Sequence, residues 1–275
     1  MADIAEIAIA PHILHMMMAA RSWVVAIGVA WMACWNAGAV LPQADTFDSQ
    51  HRAWGRVLAA RVRDGTVDYS ALKKHPTELN AYLDDMASIS RVQFDGWTQP
   101  QQMAFLINLY NAATLKLVVD YYPVSSIKKI GGLFESPWKL KVVRLWGEKV
   151  TLDHLEHDLL RTMYREPRLH FALVCAAKSC PPLRSEAYTG DQLSRQLEDQ
   201  GKLFLAQKDK NRFEAATKTL WLSPIFKWYE ADFTRGDVSL ATYVEPFLPG
   251  LDRGSLQDTG WKIAFTEYDW SLNER

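Results

Sequence analysis

Apolar side chains recur with a helical period over residues 48–63, where Trp54, Val57, Leu58, Arg61 and Val62 fall at i, i+3 and i+4 spacing, and this predicts a helix. The polar and glycine-bearing run "RDGTVDYS" at 63–70 ends it in a turn. A second helix is expected over 76–88, with Leu79, Tyr82, Leu83 and Met86 on one face. The third, Pro100–Tyr121, is apolar on nearly every side, and a helix with no polar face belongs at the centre of a domain. Its two asparagines, Asn108 and Asn111, therefore need buried partners, because an unsatisfied amide costs about 1–3 kcal/mol.

Period-two and short apolar runs mark the strands. "KLKVVRLWGEKVTL" at 139–152 reads as a hairpin turning at Gly147-Glu148. A helix follows from Thr151 or Asp153 to Tyr164, with Leu152, Leu155, Leu159 and Leu160 inward. "HFALVC" at 170–175 is wholly apolar after its histidine and reads as a strand inside a sheet. A helix at 190–206, a hairpin at 212–222, a helix at 239–247 and a last strand in "KIAFTEYDW" complete the pattern. Hairpins interspersed with helices, without strict βαβ order, give the α+β class: one domain whose central buried helix packs on a mixed or antiparallel sheet.

The N-terminus departs from this pattern. Trp23–Trp35 is an unbroken apolar or small run preceded by Arg21, and Ala37-Gly38-Ala39 follows as an A-x-A cleavage site. The run is short of the ~20 residues a spanning helix needs. Residues 1–39 are thus expected to be a signal peptide, 40–47 a short lead and 48–275 a single domain. The protein is expected in the periplasm or secreted, as a monomer with no integral membrane span after cleavage. Cys34 lacks the residues usual before a lipidated cysteine.

Charge narrows the partners. The chain has a formal net charge of -1 and is 48% hydrophobic and 23% charged. Without residues 1–39 its acidic and basic side chains balance. No basic run gives nucleic acid or an anionic surface an electrostatic footprint.

The chemistry concentrates in "HFALVCAAKSCPPL" at 170–183, which holds Cys175 and Cys180. In a strand, His170 and Cys175 would point to opposite faces. Cys180, in the loop beyond and near Lys178, is the better nucleophile, with His170 or His157 as base and Asn108 or Asn111 orienting the imidazole. Outside the cytoplasm the two cysteines could instead form a disulfide. A redox pair is a third reading, although four intervening residues exceed the usual two.

Asp153, His154 and His157 offer i, i+3 and i, i+4 pairs, but no third ligand stands at a recognised spacing, so neither a metal nor another cofactor is expected. His157 and Arg161 could join Glu156, Asn108 or Asp269 in a buried polar network. Glu186 and Asp269 are carboxylates that could act as an acid/base pair in glycoside cleavage, with Trp138, Trp228 and Trp270 against a sugar.

"AFLINLYNAATLKLVV" at 104–119, "PVSSI" at 123–127, "TLDHLEHDLLR" at 151–161, "HFALVCAAKSCPPL", "EAYTG" at 186–190, "LSPIFKWYEADF" at 222–233 and "YDWSLN" at 268–273 together resemble the family known as domain of unknown function 547. The resemblance implies a bacterial globule outside the cytoplasm. Plant domains similar to these look fused to other modules, some glutaredoxin-like, which hints at thiol chemistry. Three functions follow: a thiol-dependent acyl hydrolase or transferase, a thiol–disulfide exchange protein, or a non-enzymatic binding or envelope-structural module.

Overall fold

The computed structural model describes residues 47–132, 135–236, 238–252, 254–256 and 260–275. The expected signal peptide at 1–39, Cys34 and all of the lead except Phe47 lie outside them.

The first apolar stripe forms α1 (Arg52–Arg61), with Trp54, Val57 and Leu58 buried. The turn after it is a tight hairpin of β1 (Val62–Arg63) and β2 (Thr66–Val67), closed by Asp64 and Gly65, both at positive φ. Three helices follow: α2 (Tyr69–Lys74), α3 (Thr77–Ser88) and α4 (Arg91–Asp95).

The all-apolar helix is α5 (Gln99–Tyr121). Its first turn is fixed by Gln101, whose Oε1 accepts from the Thr98 N–H at 3.0 Å and the Thr98 hydroxyl at 2.8 Å. It is long and apolar enough to cross a membrane, yet the fold buries it. What surrounds it is largely helical: α2, α3 and the turns at 154–160 pack on it.

β3 (Val143–Leu145) and β4 (Glu148–Val150) form the next hairpin. Its loop is Trp146-Gly147, one residue earlier than the expected Gly147-Glu148. Both loop residues have positive φ, 51° and 84°, the conformation that a two-residue type I′ connection requires.

The helix expected after Thr151 is wound two ways. His154–Leu160 is π-helix and α6 (Arg161–Tyr164) resumes the α-helix. Wider turns of this kind often occur at functional sites, and here they turn Glu156 inward beside Leu155 and Leu160.

The run at 170–175 is not a strand. Leu169–Ala172 is a single helical turn, α7, and 173–175 continue without a neighbouring strand. The reason lies in α5. Asn111 Oδ1 accepts from the Val174 N–H at 3.0 Å and Asn111 Nδ2 donates to the Ala172 carbonyl at 3.0 Å, so one side chain supplies the bonds a sheet would have given.

α8 (Leu193–Leu205), β5 (Arg212–Glu214), β6 (Thr219–Leu222), α9 (Pro224–Trp228), α10 (Glu230–Phe233), α11 (Leu240–Val244) and β7 (Lys262–Phe265) complete the described chain. β5 and β6 are antiparallel and β7 joins β6 in parallel, giving a small mixed sheet. The architecture is an α+β single domain. Its core has two parts: one around α5, and one of Phe171, Phe204, Phe226, Phe233, Leu220 and Leu222. α7 sits at their seam, with Leu169 and Ala172 in the first part and Phe171 in the second. His170 therefore emerges where the two parts meet.

Candidate active site

At that seam a cavity of about 210 Å³ is lined by Cys175, Cys180, His170, His157, Glu156 and Asp153, with Tyr110, Tyr229, Tyr268, Trp138, Trp228 and Trp270 among its walls. Residues far apart in the chain are brought together by two devices. One is the Asn111 clamp on 172–174. The other is the C-terminal segment, which laces the cysteine loop. Lys178 N–H donates to the Ser271 carbonyl at 2.9 Å, Ser179 N–H to the Asp269 carbonyl at 3.2 Å, and Asn273 N–H to the Ala176 carbonyl at 3.0 Å. Ala176 takes positive φ, 57°, which turns the chain back on itself.

That return brings the two cysteines together as free thiols, with no disulfide between them. The Cys175 N–H donates to Cys180 Sγ at 2.7 Å, and the Cys175 sulfur exchanges a hydrogen bond with the Tyr268 hydroxyl at 3.1 Å. Burial alone would raise the Cys180 thiol. Donation from the Cys175 thiol and N–H and from Tyr268, together with the Lys210 charge, overcomes this and holds it below its ordinary value. Cys175 moves the opposite way: burial, then its donation to Cys180 and the charge there, push it well up. In this pair Cys180 is the more acidic thiol and Cys175 its donor.

Lys210 was not identified from the sequence as a site residue. It is buried, donates from Nζ to the Cys180 carbonyl at 2.8 Å, and makes no carboxylate ion pair among the described residues. Burial depresses its own pKa, against the raising effect of Asp209 and the two sulfurs. It precedes β5 in an ordinary polar stretch, "KDKNR", with no signal to separate it from a surface lysine.

The two histidines are not equivalent. His170 Nε2 lies 2.8 Å from Asp232 Oδ2. Bonds from His170 and Arg161, outweighing burial, hold the Asp232 carboxyl far below the carboxylate range, so it accepts and Nε2 carries the proton. His170 Nδ1 is left as the basic nitrogen, and burial keeps the ring neutral by lowering its pKa despite the bond to Asp232. Tyr229 stacks on the ring at 3.8 Å. In His157 it is Nδ1 that is occupied, accepting from Arg161 Nη1 at 2.9 Å, because a guanidinium can only donate. His170 is thus the better placed base. Among the described residues no hydrogen bond joins either histidine to either cysteine.

Asn108 and Asn111 do not orient an imidazole. Asn108 Nδ2 donates to the Tyr188 carbonyl at 2.7 Å and its Oδ1 accepts from the Tyr188 N–H at 3.0 Å; Asn111 is spent on Ala172 and Val174. The orienting group is Asp232, next to last in "KWYEADF" and not identified from the sequence as a site residue. Arg161 reaches the same carboxylate at 2.6 Å and Arg235 at 2.7 Å.

Glu156 accepts from Tyr229 at 2.6 Å and Tyr110 at 3.0 Å. Glu186 pairs with Arg184 and lies outside the cavity, and the Asp269 side chain accepts from its own neighbour, Ser271 N–H, at 2.8 Å. His154 pairs with Asp158 at 2.8 Å, while His157 stands 4.0 Å from Asp153. No group of three or more His, Cys, Asp or Glu is placed to hold a metal ion among the described residues.

Residues 94–205 match the model of a family described as "Protein of unknown function, DUF547". The match is a similarity over those residues and agrees with the resemblance seen in the sequence motifs. The DUF547 segment runs from α4 to the end of α8 and so carries Glu156, His157, His170 and both cysteines, while Asp232, Lys210 and Tyr268 lie beyond it. Neither the search of curated proteins nor that of solved structures returned a match.

Proposed function

We propose that this DUF547 chain is an exported, monomeric, thiol-dependent acyl hydrolase or transferase with Cys180 as nucleophile and His170 as general base, positioned by Asp232. The observation that carries the reading is one cavity lined both by a thiol whose pKa its neighbours hold down and by an imidazole whose Nε2 proton is fixed on a carboxylate. Export rests on the apolar run Trp23–Trp35 and the A-x-A site after it.

In the first half-reaction Cys180 Sγ bonds to the carbonyl carbon and its proton passes to His170 Nδ1. The bond to the leaving amine or alcohol then breaks, and His170 returns the proton to that group. In hydrolysis, water adds to the thioester and gives a proton to His170, then the carbon–sulfur bond breaks, His170 returns the proton to Cys180 Sγ and the acid is released. In transfer, a second nucleophile takes the place of water.

The test is alkylation with iodoacetamide, read by intact mass, on the unmodified protein and on Cys175→Ser and Cys180→Ser. Cys180 is expected to react well below the ordinary thiol pKa of about 8.5. Reaction only above that pH, or an acyl-transfer activity that survives in Cys180→Ser, would sink the proposal.

A second reading has its own support in the bond between the two thiols: oxidation to a disulfide with transfer of two electrons to a partner disulfide. It requires a reduction potential between roughly −300 and −180 mV in a glutathione titration. A bond more resistant than that would be structural.

A further inference from the structure

We infer that the cavity takes a substrate bearing a protonated alkylamine, with Glu156 as its charge partner. This names the substrate class of the site proposed above and rests on that reading only for the acyl chemistry.

Glu156 is 6% exposed, and both its oxygens are held by hydroxyls, Tyr229 on one and Tyr110 on the other. Burial, then Glu156 itself, pushes both phenols far above their ordinary range, so they remain donors. A carboxylate has about four acceptor sites, and each oxygen of Glu156 keeps one beyond its tyrosine. Among the described residues no Lys, Arg or His makes an ion pair with it.

The nearby guanidinium is committed elsewhere. Arg161 bonds to Asp232 and His157 and lies 5.1 Å over the Tyr229 ring. Arg235 also serves Asp232. The cavity wall carries two acidic side chains, Asp153 and Glu156, and contains no lysine or arginine. A buried carboxylate without a counter-ion is costly, and a cationic ligand removes that cost.

The remaining wall fits the same ligand. Trp228 and Trp270 stack at 5.8 Å, Tyr268 meets Trp270 at 4.6 Å, and Trp228 is half exposed at the rim. Aromatic faces attract ammonium groups, and this cluster already holds one, Lys128 Nζ at 4.6 Å over Trp270. A volume near 210 Å³ admits a short aminoalkyl chain.

The experiment titrates Cys180→Ser with n-butylammonium, 1-pentanol and pentanoate, following tryptophan fluorescence, and repeats the series on the unmodified protein. Butylammonium is expected to bind at least tenfold more tightly than pentanol, with pentanoate weakest, and Glu156→Gln is expected to abolish that preference. Equal binding of pentanol, tighter binding of pentanoate, or a preference that survives in folded Glu156→Gln would overturn the inference. The comparison of three ligands on the unmodified protein does not depend on how a Glu156 variant folds. Because Cys180→Ser lacks the thiol, this result stands apart from the alkylation test, which alone decides the acyl reading.

Discussion

Asp232 accepts the Nε2–H of His170 at 2.8 Å across 62 residues of chain, and it does so while bound by Arg161 at 2.6 Å. The carboxylate therefore sets the histidine tautomer and neutralises a guanidinium at the same time. Asp232→Asn removes the charge from both, and breaking a buried pair by removing one partner costs about 3–5 kcal/mol. Denaturant unfolding at neutral pH is expected to show a loss of that order. Because the folded-state pKa lies below the unfolded value, near 3.9, the carboxylate stabilises the fold above that pH. This contribution disappears as pH falls toward the folded value. Acid unfolding of the unmodified protein below about pH 4 should accordingly be steeper than that of Asp232→Asn.

Asn111 and Asn108 are clamps on backbone, so their loss should be structural. Asn111→Ala strands the Val174 N–H and the Ala172 carbonyl inside the core. Each unsatisfied group costs about 1–3 kcal/mol, which puts the variant roughly 2–6 kcal/mol below the parent in chemical denaturation. If Asn111 instead oriented a catalytic imidazole, the variant would keep its stability and change the pH profile of Cys180 alkylation.

The sequence exposes the parts of this fold that follow from local periodicity. α1, α3 and α8 lie within stretches read as helical, α5 begins at Gln99, one residue before the expected start of its all-apolar run, and the hairpins lie where turn residues interrupt alternating runs. It exposes the cysteine segment because a thiol pair beside a histidine is conspicuous in composition alone. It misreads 170–175, since an apolar run has the same appearance whether its backbone bonds go to a strand or to an asparagine 63 residues away. Asp232 and Lys210 escape for a related reason. Each is an ordinary charged residue in a polar stretch, and only long-range packing decides that one meets His170 and the other Cys180.

Gly65 couples the first hairpin to the loop after Cys180. It has φ of 78°, and a Cβ placed on it would stand 2.4 Å from Pro182 Cβ and 2.9 Å from Pro182 Cα. Neither backbone nor a proline ring can move aside cheaply, and an alanine also resists this φ. Gly65→Ala should cost more than about 2 kcal/mol by thermal unfolding, combining strain with overpacking. A variant that melts with the parent would show that the hairpin and the loop separate without penalty.

His51 gives the stability a second dependence on pH. Burial holds its pKa down at about 4 against the smaller raising effect of Asp48, and its Nδ1 meets the Tyr82 hydroxyl at 2.8 Å. Between pH 4 and the ordinary value of about 6.5, the unfolded chain binds a proton that the folded chain refuses. Stability therefore rises with pH across that window and falls by about 3 kcal/mol on acidification through it. His170, also depressed by burial, acts in the same direction. His51→Asn retains a residue tolerant of the positive φ at this position, 49°, and should flatten the slope in denaturant melts taken from pH 4 to 6.5.

Lys210 is the charged side chain among the groups that lower the Cys180 thiol, its effect coming after the hydrogen bonds from Cys175 and Tyr268. It is a buried cation with no carboxylate ion pair among the described residues, and Cys180 is where its charge is felt. A positive charge a few ångströms from a thiol lowers its pKa by about 1–3 units, so loss of the charge must raise it. Lys210→Met keeps the aliphatic stem and its packing while removing the charge. The expected result is an upward shift in the pH profile of Cys180 alkylation, hence a slower reaction near pH 7. Lys210→Arg restores the charge and should restore most of the rate, which separates an electrostatic role from a packing role. An unchanged profile in a folded Lys210→Met protein would mean that the Cys175 and Tyr268 donors hold the Cys180 thiol down without the lysine.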